Sequence, residues 1–451
     1  MKLHVPKAGW LVLLGAMAGL GAAAQEPLTL RQAIQQALGA NPEARQASAE
    51  TREARANASL ARTQLFPQLN FTEDISRGDD PVYVFGAKLR QQAFTQADFA
   101  VNALNRPLPI GNFASRFSGQ WLAFDTFKTQ KSIHSADLMK KSAVSSAAAV
   151  NQKIVLNVVE AYQSVLYAER QVTVTQHELD TAQALLSSVD DHVKAGLAVE
   201  SDRMSAEVNV AARKQELIAA QGGLEMAWAQ LRVAVGAPHL KETGLAPIAP
   251  HDFPAAALDA EVQAAYKSRS DLAALNQAQS AQAEAVSAAR FGFGPRIAAY
   301  GNWEQDRPTF AGAGGNNWVA GVQLNIDIAP FAKRAQLEHE RAAQDRVNAQ
   351  VASYRQQVQL QVTQAHIARQ TALLSLKTAQ AALDQSAESL RILRNRYGAG
   401  LATITDLLRA EDAERESQNN YWRAVYGNAV AYAQLLFATG SLTPDAAEEL
   451  Q

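Results

Sequence analysis

Two long stretches of the chain have the hydrophobic pattern of uninterrupted helices. Neither proline nor glycine occurs between Thr126 and Lys194, or between Ala332 and Tyr397. At a rise of about 1.5 Å per residue, each stretch predicts a helix on the order of 100 Å long. Apolar or small side chains recur at helical spacing in the second stretch and predict one buried seam: Val347, Val351, Tyr354, Val358, Val362, Ala365, Leu376, Leu383, Leu390 and Tyr397.

Each long helix leads into a short turn and a returning helix. The turns contain Gly196-Leu197 and Gly400-Leu401, and helical patterns return over residues 199–235 and 403–439. Both glycines stand where a helix commonly ends in the left-handed conformation that glycine tolerates best. We therefore predict two antiparallel hairpins. Hairpins this long need neighbouring helices to cover their seams.

Shorter segments alternate between apolar and polar residues, the pattern of strands with two different faces. The clearest runs from Asn317 to Ile328, a second from Arg296 to Glu304, and a weaker one surrounds Phe117. Such segments suit a barrel with lipid outside and water inside, although a soluble β-sandwich shows the same alternation. The residues predicted to face lipid are Phe113, Phe117, Trp121, Trp303, Trp318, Val322 and Leu324.

The strands also predict an oligomer. We expect four strands per chain, too few to enclose a water-filled barrel. An open sheet edge in lipid would leave backbone groups without hydrogen-bond partners. The strands must therefore either pack on a soluble layer or be completed by other copies.

The chain is duplicated. Asn41-Pro42-Glu43 and Pro67 recur as Arg269-Ser270-Asp271 and Pro295 at an offset of 228, and the Gly-Leu turns recur at an offset of 204. The difference places about 24 extra residues in the first half, best between Gly78 and Asn112. We predict a first repeat at 25–235, a linker at 236–254, a second repeat at 255–440 and a C-terminal tail at 441–451.

The N-terminus predicts export. Residues 1–24 carry Lys2 and Lys7, an apolar stretch and a small-residue cleavage site, which together favour a signal peptide. The chain has no cysteine for a disulfide or a lipoprotein anchor. Removal of two lysines leaves 40 basic against 44 acidic side chains, a net charge of −4 that argues against nucleic acid as a partner.

No sequence motif predicts an enzyme, a metal site or a cofactor. The chain lacks the phosphate-binding loop, the paired-histidine motif and the nucleophile elbow. Its histidines are scattered and fit surface or packing positions better than metal ligands. Any transport must therefore be driven by another protein.

The ordered set of features resembles the TolC family of outer-membrane channels. The match rests on the duplicated plan, on Pro67 and Pro295 before the strands, and on the tip sequences 196–202 and 397–406. The resemblance implies a mainly α fold with a membrane β-barrel, built by a homotrimer. Three chains would form a barrel of twelve strands in the outer membrane, continued through the periplasm by a tunnel of twelve helices.

The resemblance also implies a function: the passive exit duct of a tripartite efflux or type I secretion system. Its partners would be outer-membrane lipid, a periplasmic adaptor (membrane fusion) protein and an inner-membrane pump. The architecture serves drug, metal and protein substrates alike, so the substrate stays open. A structural or adhesive coiled-coil protein of the envelope is the alternative.

By matching positions, the resemblance assigns a gate to the hairpin turns. The corresponding residues are Tyr397, Asp406, Arg409, Ser201 and Asp202, while Ala402 and Arg409 depart from the best-known member. Three copies of Asp406 around an axis would form an acidic ring. The alternative is that Asp406 only stabilises the start of its helix. The predicted adaptor contacts are the turn residues Gly196, Leu197, Gly400 and Leu401.

Overall fold

The computed structural model describes residues 27–196, 198–242, 244–247 and 256–448. The predicted signal peptide 1–24, the turn residue Leu197 and residues 248–254 of the predicted linker lie outside the described residues.

The described residues of the first half form six α-helices and two strands. They follow in the order α1 (Leu30–Ala40), α2 (Pro42–Thr63), β1 (Gln68–Gly78), α3 (Pro81–Arg90), α4 (Val101–Asn105), β2 (Ile110–Phe124), α5 (Lys128–Lys194) and α6 (Glu200–Val235). A short 3-10 helix, Gln96–Phe99, lies between α3 and α4.

The second half repeats this plan without the helices between the strands. Its elements are α7 (Leu258–Ser268), α8 (Ser270–Phe291), β3 (Arg296–Arg307), β4 (Gly315–Asn325), α9 (Phe331–Gly398) and α10 (Ile404–Thr439), followed by the short α11 (Pro444–Glu448). The long helices and their returning partners begin and end within two residues of the predicted positions.

Equivalent contacts join the two ends of each half. Asn41 caps α2 by accepting a hydrogen bond from the Glu43 amide at 2.8 Å, and its side-chain nitrogen donates to the carbonyl of Ala234 at 3.0 Å. Arg269 precedes α8 and donates to the carbonyl of Ala438 at 3.3 Å. In each half, the residue before the second helix therefore holds the last turn of the returning helix.

The four strands form one antiparallel sheet in the order β1-β2-β3-β4. One row of paired residues crosses the whole sheet: Phe71, Phe117, Trp303 and Trp318. Within the described residues, β1 and β4 each have a neighbouring strand on one side only. The sheet ends in two edges whose backbone groups a further strand could pair.

The long helices pack as two antiparallel hairpins, α5 with α6 and α9 with α10. The predicted seam of α9 is confirmed, because every one of its residues is buried or half-buried. The same face also holds Arg369, which is 1% exposed and donates to Asn428 of α10. A charged side chain thus continues the seam after Ala365.

The largest core lies around the middle of the long helices. Helix α1 and the residues after α6 pack against α5 there. A β-bridge joins Leu28 to Leu245. The fully buried hydroxyl of Tyr162 lies 2.7 and 2.9 Å from the carbonyl oxygens of Leu28 and Ala246. None of the described helices combines the length and the apolar character that crossing a bilayer requires.

Strand β4 differs from its predicted extent. It begins at Gly315 and ends at Asn325, so Ile326 and Ile328 lie beyond the strand and are 60% and 95% exposed. Beyond the strand, Asp327 pairs with Lys333 in the first turn of α9. Alternation continued past the strand although the backbone pairing did not.

Candidate functional site

The two hairpin turns lie side by side at the end of the helices opposite the sheet. Val189 and Ala206 of the first hairpin form one buried cluster with Ile404 of the second. Gly196 and Gly400 have φ angles of +75° and +72°. The predicted left-handed helix ends are therefore confirmed, and packing between the hairpins holds the turns together.

The start of α10 is fixed by a reciprocal cap between Thr403 and Asp406. The Thr403 hydroxyl accepts a hydrogen bond from the Asp406 amide at 3.2 Å. The Asp406 carboxylate accepts from the hydroxyl and the amide of Thr403 at 2.7 and 3.2 Å. This capping box satisfies backbone donors that the first turn of a helix leaves unpaired.

The cap also determines the charge of Asp406. Hydrogen bonds from Thr403 lower the pKa of this carboxyl, and the charges of Arg409 and Arg396 lower it further. Asp406 is half-buried and Arg409 is exposed. The carboxylate therefore stabilises its own helix, as the alternative interpretation expects, while its role in a gate stays a prediction.

Tyr397 and Asp202 interact across the two hairpins. Tyr397 comes from the end of α9 and packs beside the cluster of Val189, Ala206 and Ile404. Burial raises the pKa of the Tyr397 hydroxyl, and the charge of Asp202 at the start of α6 raises it further. The structure thus brings together two of the five predicted gate residues from different hairpins.

The other tip residues form an exposed surface. Ser201 is exposed in the first turn of α6, and Gly196 and Gly400 are exposed at the turns. Leu401 is also exposed, by 68%. Leu197 lies outside the described residues, so its predicted adaptor contact has no structural counterpart here.

A network of charged side chains, absent from the sequence predictions, connects the hairpins further from the turns. Arg213 of α6 donates to Asp412 of α10 at 3.0 Å, and Arg415 of α10 lies 3.7 Å from Glu216 of α6. Within the second hairpin, Arg394 lies 3.3 Å from Glu411. Further members of the cavity between the four helices are His177, Glu178, Asn209, Glu414 and Gln418.

Glu178 is the most perturbed member of this network. Its side chain is 15% exposed, and neither carboxylate oxygen has a hydrogen-bond partner. Burial raises its pKa to about 7, although the charges of Arg415 and Arg213 oppose the shift. Burial prevails because the nearest arginine nitrogen is 3.9 Å away, too far for a hydrogen bond.

The sequence did contain a signal for Glu178. Thr175, Leu179 and Ala182 are buried positions of α5, and residue 178 falls on the same face of the helix. A carboxylate on an apolar face requires either a cation or a proton. The resulting cluster can form ionic bonds and exchange protons, and no group of three or more potential metal ligands occurs in the described ranges.

At the other end of the molecule, most exposed large apolar side chains of the sheet lie on one face, which also carries the hydrogen-bonded cluster of Glu73, Ser115 and Arg307. All seven residues predicted to face lipid lie on this face, which we call the apolar face. Strand β1, whose extent the sequence did not delimit, adds Leu69, Phe71 and Ile75, which are 83%, 55% and 65% exposed. The opposite, polar face is defined by Ser76, Asn112, Ala114, Arg116, Ser118, Glu304, Asp306 and Asn317.

The comparisons with known proteins agree on one family and one fold. A model of the family described as outer membrane efflux protein matches residues 33–237 and 262–441. No protein with a curated description matches the chain.

Three solved structures illustrate the likeness. The Campylobacter jejuni CmeC outer membrane channel is 16% identical, with a TM-score of 0.79 over 98% of this chain and 94% of that one. A membrane protein from Pseudomonas aeruginosa is 21% identical, with a TM-score of 0.78 over 91% and 93%. The open state of the Neisseria gonorrhoeae MtrE outer membrane channel is 19% identical, with a TM-score of 0.76 over 92% and 90%.

Proposed function

The chain belongs to the outer membrane efflux protein family, and we propose that it works as a homotrimeric exit channel of a tripartite efflux or type I secretion system. In this proposal, a signal peptide directs the chain through the inner membrane, the sheet lies in the outer membrane, and the hairpins extend into the periplasm. A periplasmic adaptor and an inner-membrane pump open the channel at the hairpin turns.

The observation that carries the proposal is the unfinished sheet. It has one polar face, one face of exposed large apolar side chains, and two edges without neighbours among the described strands. Lipid would cover the apolar face, but backbone groups at an edge in lipid must be paired. Pairing β4 of one copy with β1 of the next satisfies both edges, and three copies give a closed barrel of twelve strands.

The helices support the same assembly. The helices α5 and α9, of 67 and 68 residues, extend from the sheet on the order of 100 Å. Their exposed faces carry apolar side chains such as Leu360, Ile367 and Leu374, which are 57%, 56% and 66% exposed in one chain. Helices of sister copies would cover part of this surface and complete a hollow tunnel.

The hairpin turns are the proposed gate. Tyr397 packs beside the cluster that joins the two hairpins, the charge of Asp202 acts on it, and Asp406, Arg409 and Ser201 lie on the neighbouring turns. An adaptor that binds the exposed Gly400-Leu401 turn, and the predicted contact residues Gly196 and Leu197 of the first turn, would separate the hairpins and widen the tunnel. The comparison structure of MtrE is described as an open state of that channel.

The experiment is to purify the full chain from fractionated cells and to measure its assembly and conductance. We expect it in the outer-membrane fraction, as a trimer in detergent that forms ion-conducting channels in planar bilayers. A monomer that is soluble without detergent and conducts no ions would overturn the proposal. It would favour the structural or adhesive coiled-coil protein instead.

A further inference from the structure

The connection between β1 and β2 is a folded unit, whereas the matching connection between β3 and β4 is a short link. Residues 79–109, which we call the lid, contain α3, the 3-10 helix and α4, while only residues 308–314 join the other pair. The lid has an aromatic core in which the ring centre of Phe94 lies 4.8 Å from that of Phe85 and 5.0 Å from that of Phe99. The lid is therefore an ordered body with its own packing.

An ion pair fastens the lid internally. Lys88 of α3 donates to Asp98 at 2.5 Å, and Asp98 also accepts hydrogen bonds from the amide and hydroxyl of Thr95. These bonds lower the pKa of Asp98 to about 2, with Lys88 as the largest cause. The ion pair thereby joins α3 to the 3-10 helix at neutral pH.

The lid lies across the polar face of the sheet and makes a contact with every strand. These contacts are Tyr83 with Ser76 of β1 (3.0 Å), Gln91 with Asn112 of β2 (2.9 Å), Arg90 with Glu304 of β3 (3.7 Å), and the Arg90 carbonyl with Asn317 of β4 (3.1 Å). They lie near the ends of the strands furthest from the long helices. The lid therefore covers that end of the polar face.

A buried chain of hydrogen bonds forms the centre of this contact. Gln91 donates to Asn112 at 2.9 Å, and Asn112 donates to one carboxylate oxygen of Asp306 at 2.7 Å. The three side chains are 7%, 6% and 0% exposed. Buried polar groups that lose their partners cost about 1–3 kcal/mol each, so this contact favours one fixed position of the lid.

The backbone of the lid also packs closely against the backbone of the sheet. A Cβ atom placed on Gly315 would lie 2.0 Å from the carbonyl oxygen of Arg90. The last turn of α3 therefore rests directly on the backbone of β4. Only glycine at position 315 permits this approach.

We propose that the lid closes the outer mouth of the channel, as a second constriction at the end opposite the hairpin turns. This inference rests on the proposed function, because it requires the apolar face to contact lipid. The polar face then lines the lumen, and the lid, which covers that face, lies inside the cross-section of the barrel. Three copies bring three lids around one axis.

The dimensions decide whether three lids would obstruct the lumen. Twelve strands about 4.8 Å apart and tilted about 40° enclose a barrel with a radius of about 12 Å. A helix with its side chains is about 10–12 Å thick. Three helices resting on the inner wall would therefore reach the axis, leaving no wide passage between them.

The chain has no cysteine, so one introduced cysteine is its only reactive thiol and can report whether a position is accessible. Ser118→Cys lies on the polar face about 20 Å along β2 from the lid contact at Asn112. Ala320→Cys lies on the apolar face. Each is made in the full chain, in a chain whose residues 80–109 are replaced by a turn as short as 308–314, and in a Gly315→Ala background that displaces the lid without deleting it.

Intact cells are treated from outside with a maleimide attached to a large polyethylene glycol. We expect Ser118→Cys to react at least tenfold faster without the lid, with an intermediate rate in the Gly315→Ala chain. Ala320→Cys should stay protected in all three. The reagent reaches Ser118→Cys from the outer side of the barrel and does not cross the hairpin turns. A closed gate at those turns therefore cannot hide the effect of the lid.

If Ser118→Cys reacts at the same rate with and without the lid while Ala320→Cys stays protected, the lid proposal is wrong and the proposed membrane barrel is unaffected. Rapid reaction of Ala320→Cys in every chain would show that the apolar face is not in lipid. That result would overturn the proposed function, and the lid with it.

Discussion

The two hairpin turns occupy equivalent places in a duplicated chain, yet their returning helices begin differently. Helix α10 begins with the Thr403–Asp406 capping box, whereas α6 begins after Val199, whose side chain makes no capping hydrogen bond. The first turn of α6 is instead crossed by pairs of Arg203 with Glu200 and Glu207 on its exposed surface. Exposed pairs of this kind contribute little to stability.

The difference separates the roles of two equivalent acids. Asp406 uses its carboxylate within its own helix, while Asp202, 204 residues earlier, faces Tyr397 of the other hairpin. The resemblance places both acids in the gate, but in the structure the Asp406 carboxylate caps its own helix and the charge of Asp202 acts on a tyrosine of the other hairpin. A duplicated position can thus cap a helix in one half and act on a side chain of the other hairpin in the other half.

The largest expected effect is a loss of folding stability. It is found by comparing substitutions of Arg269 and Asn41, the residues that precede the second helix of each half. Arg269 is 4% exposed and hydrogen-bonded to Asp271 and to the carbonyl of Ala438, so Arg269→Ala should destabilise the folded chain by about 3 kcal/mol by leaving a partly buried carboxylate without its cation. Asn41→Ala removes a cap and should cost about 1 kcal/mol. Urea unfolding of both variants measures the difference, and equal losses would contradict it.

The next comparison concerns pH and the first hairpin alone. Glu178 is half-buried in α5, whereas the equivalent position of α9 is the exposed Ala382. The folded pKa of about 7 lies above the ordinary 4.5, so the folded state binds this proton more tightly, and stability should fall as pH rises from about 4.5 to about 7. The facing charges are Arg213, Arg415, Glu216 and Glu414.

Amide hydrogen exchange in α5 and α6 at about pH 5 and about pH 8 tests this prediction. Protection should decrease at the higher pH in the natural chain and change less in Glu178→Gln, which keeps the shape of the side chain without its charge. The same decrease in both chains would assign the pH dependence to other groups.

A third comparison separates the cap from the gate at the second turn. Asp406→Ala removes the carboxylate and the cap, whereas Thr403→Ala removes the hydroxyl partner and keeps the carboxylate. Each should loosen the start of α10 by about 1 kcal/mol. If the carboxylates also line the pore, only Asp406→Ala should raise single-channel conductance or change cation selectivity. Equal conductance changes would assign Asp406 to capping alone.

The smallest expected effect comes from a substitution that gives the first turn the same helix cap as the second. Val199→Thr would place a capping hydroxyl three residues before Asp202, the spacing of Thr403 and Asp406. It should stabilise the start of α6 by about 0.5–1 kcal/mol. The new cap should also draw Asp202 away from Tyr397, so the pKa of Tyr397 should fall towards its ordinary value in a spectroscopic titration. An unchanged titration would mean that Asp202 keeps its position.

Much of the fold was predictable because its patterns are local. The absence of proline and glycine defined α5 and α9, glycine conformation defined the turns, and period-two alternation found β3 and β4. The sequence also predicted which residues share the apolar face, since alternation alone assigns faces. Ile326 and Ile328 show the limit, because alternation continues where backbone pairing has ended.

Only the tertiary structure decided which distant residues meet. The pairing of β2 with β3, the lid on the polar face, the charged cluster around Glu178 and the effect of Asp202 on Tyr397 all join residues that are far apart in the chain. A helix or strand pattern arises from neighbours a few residues apart and can be read along the chain. Contacts between elements depend on how their faces pack, which no single segment encodes.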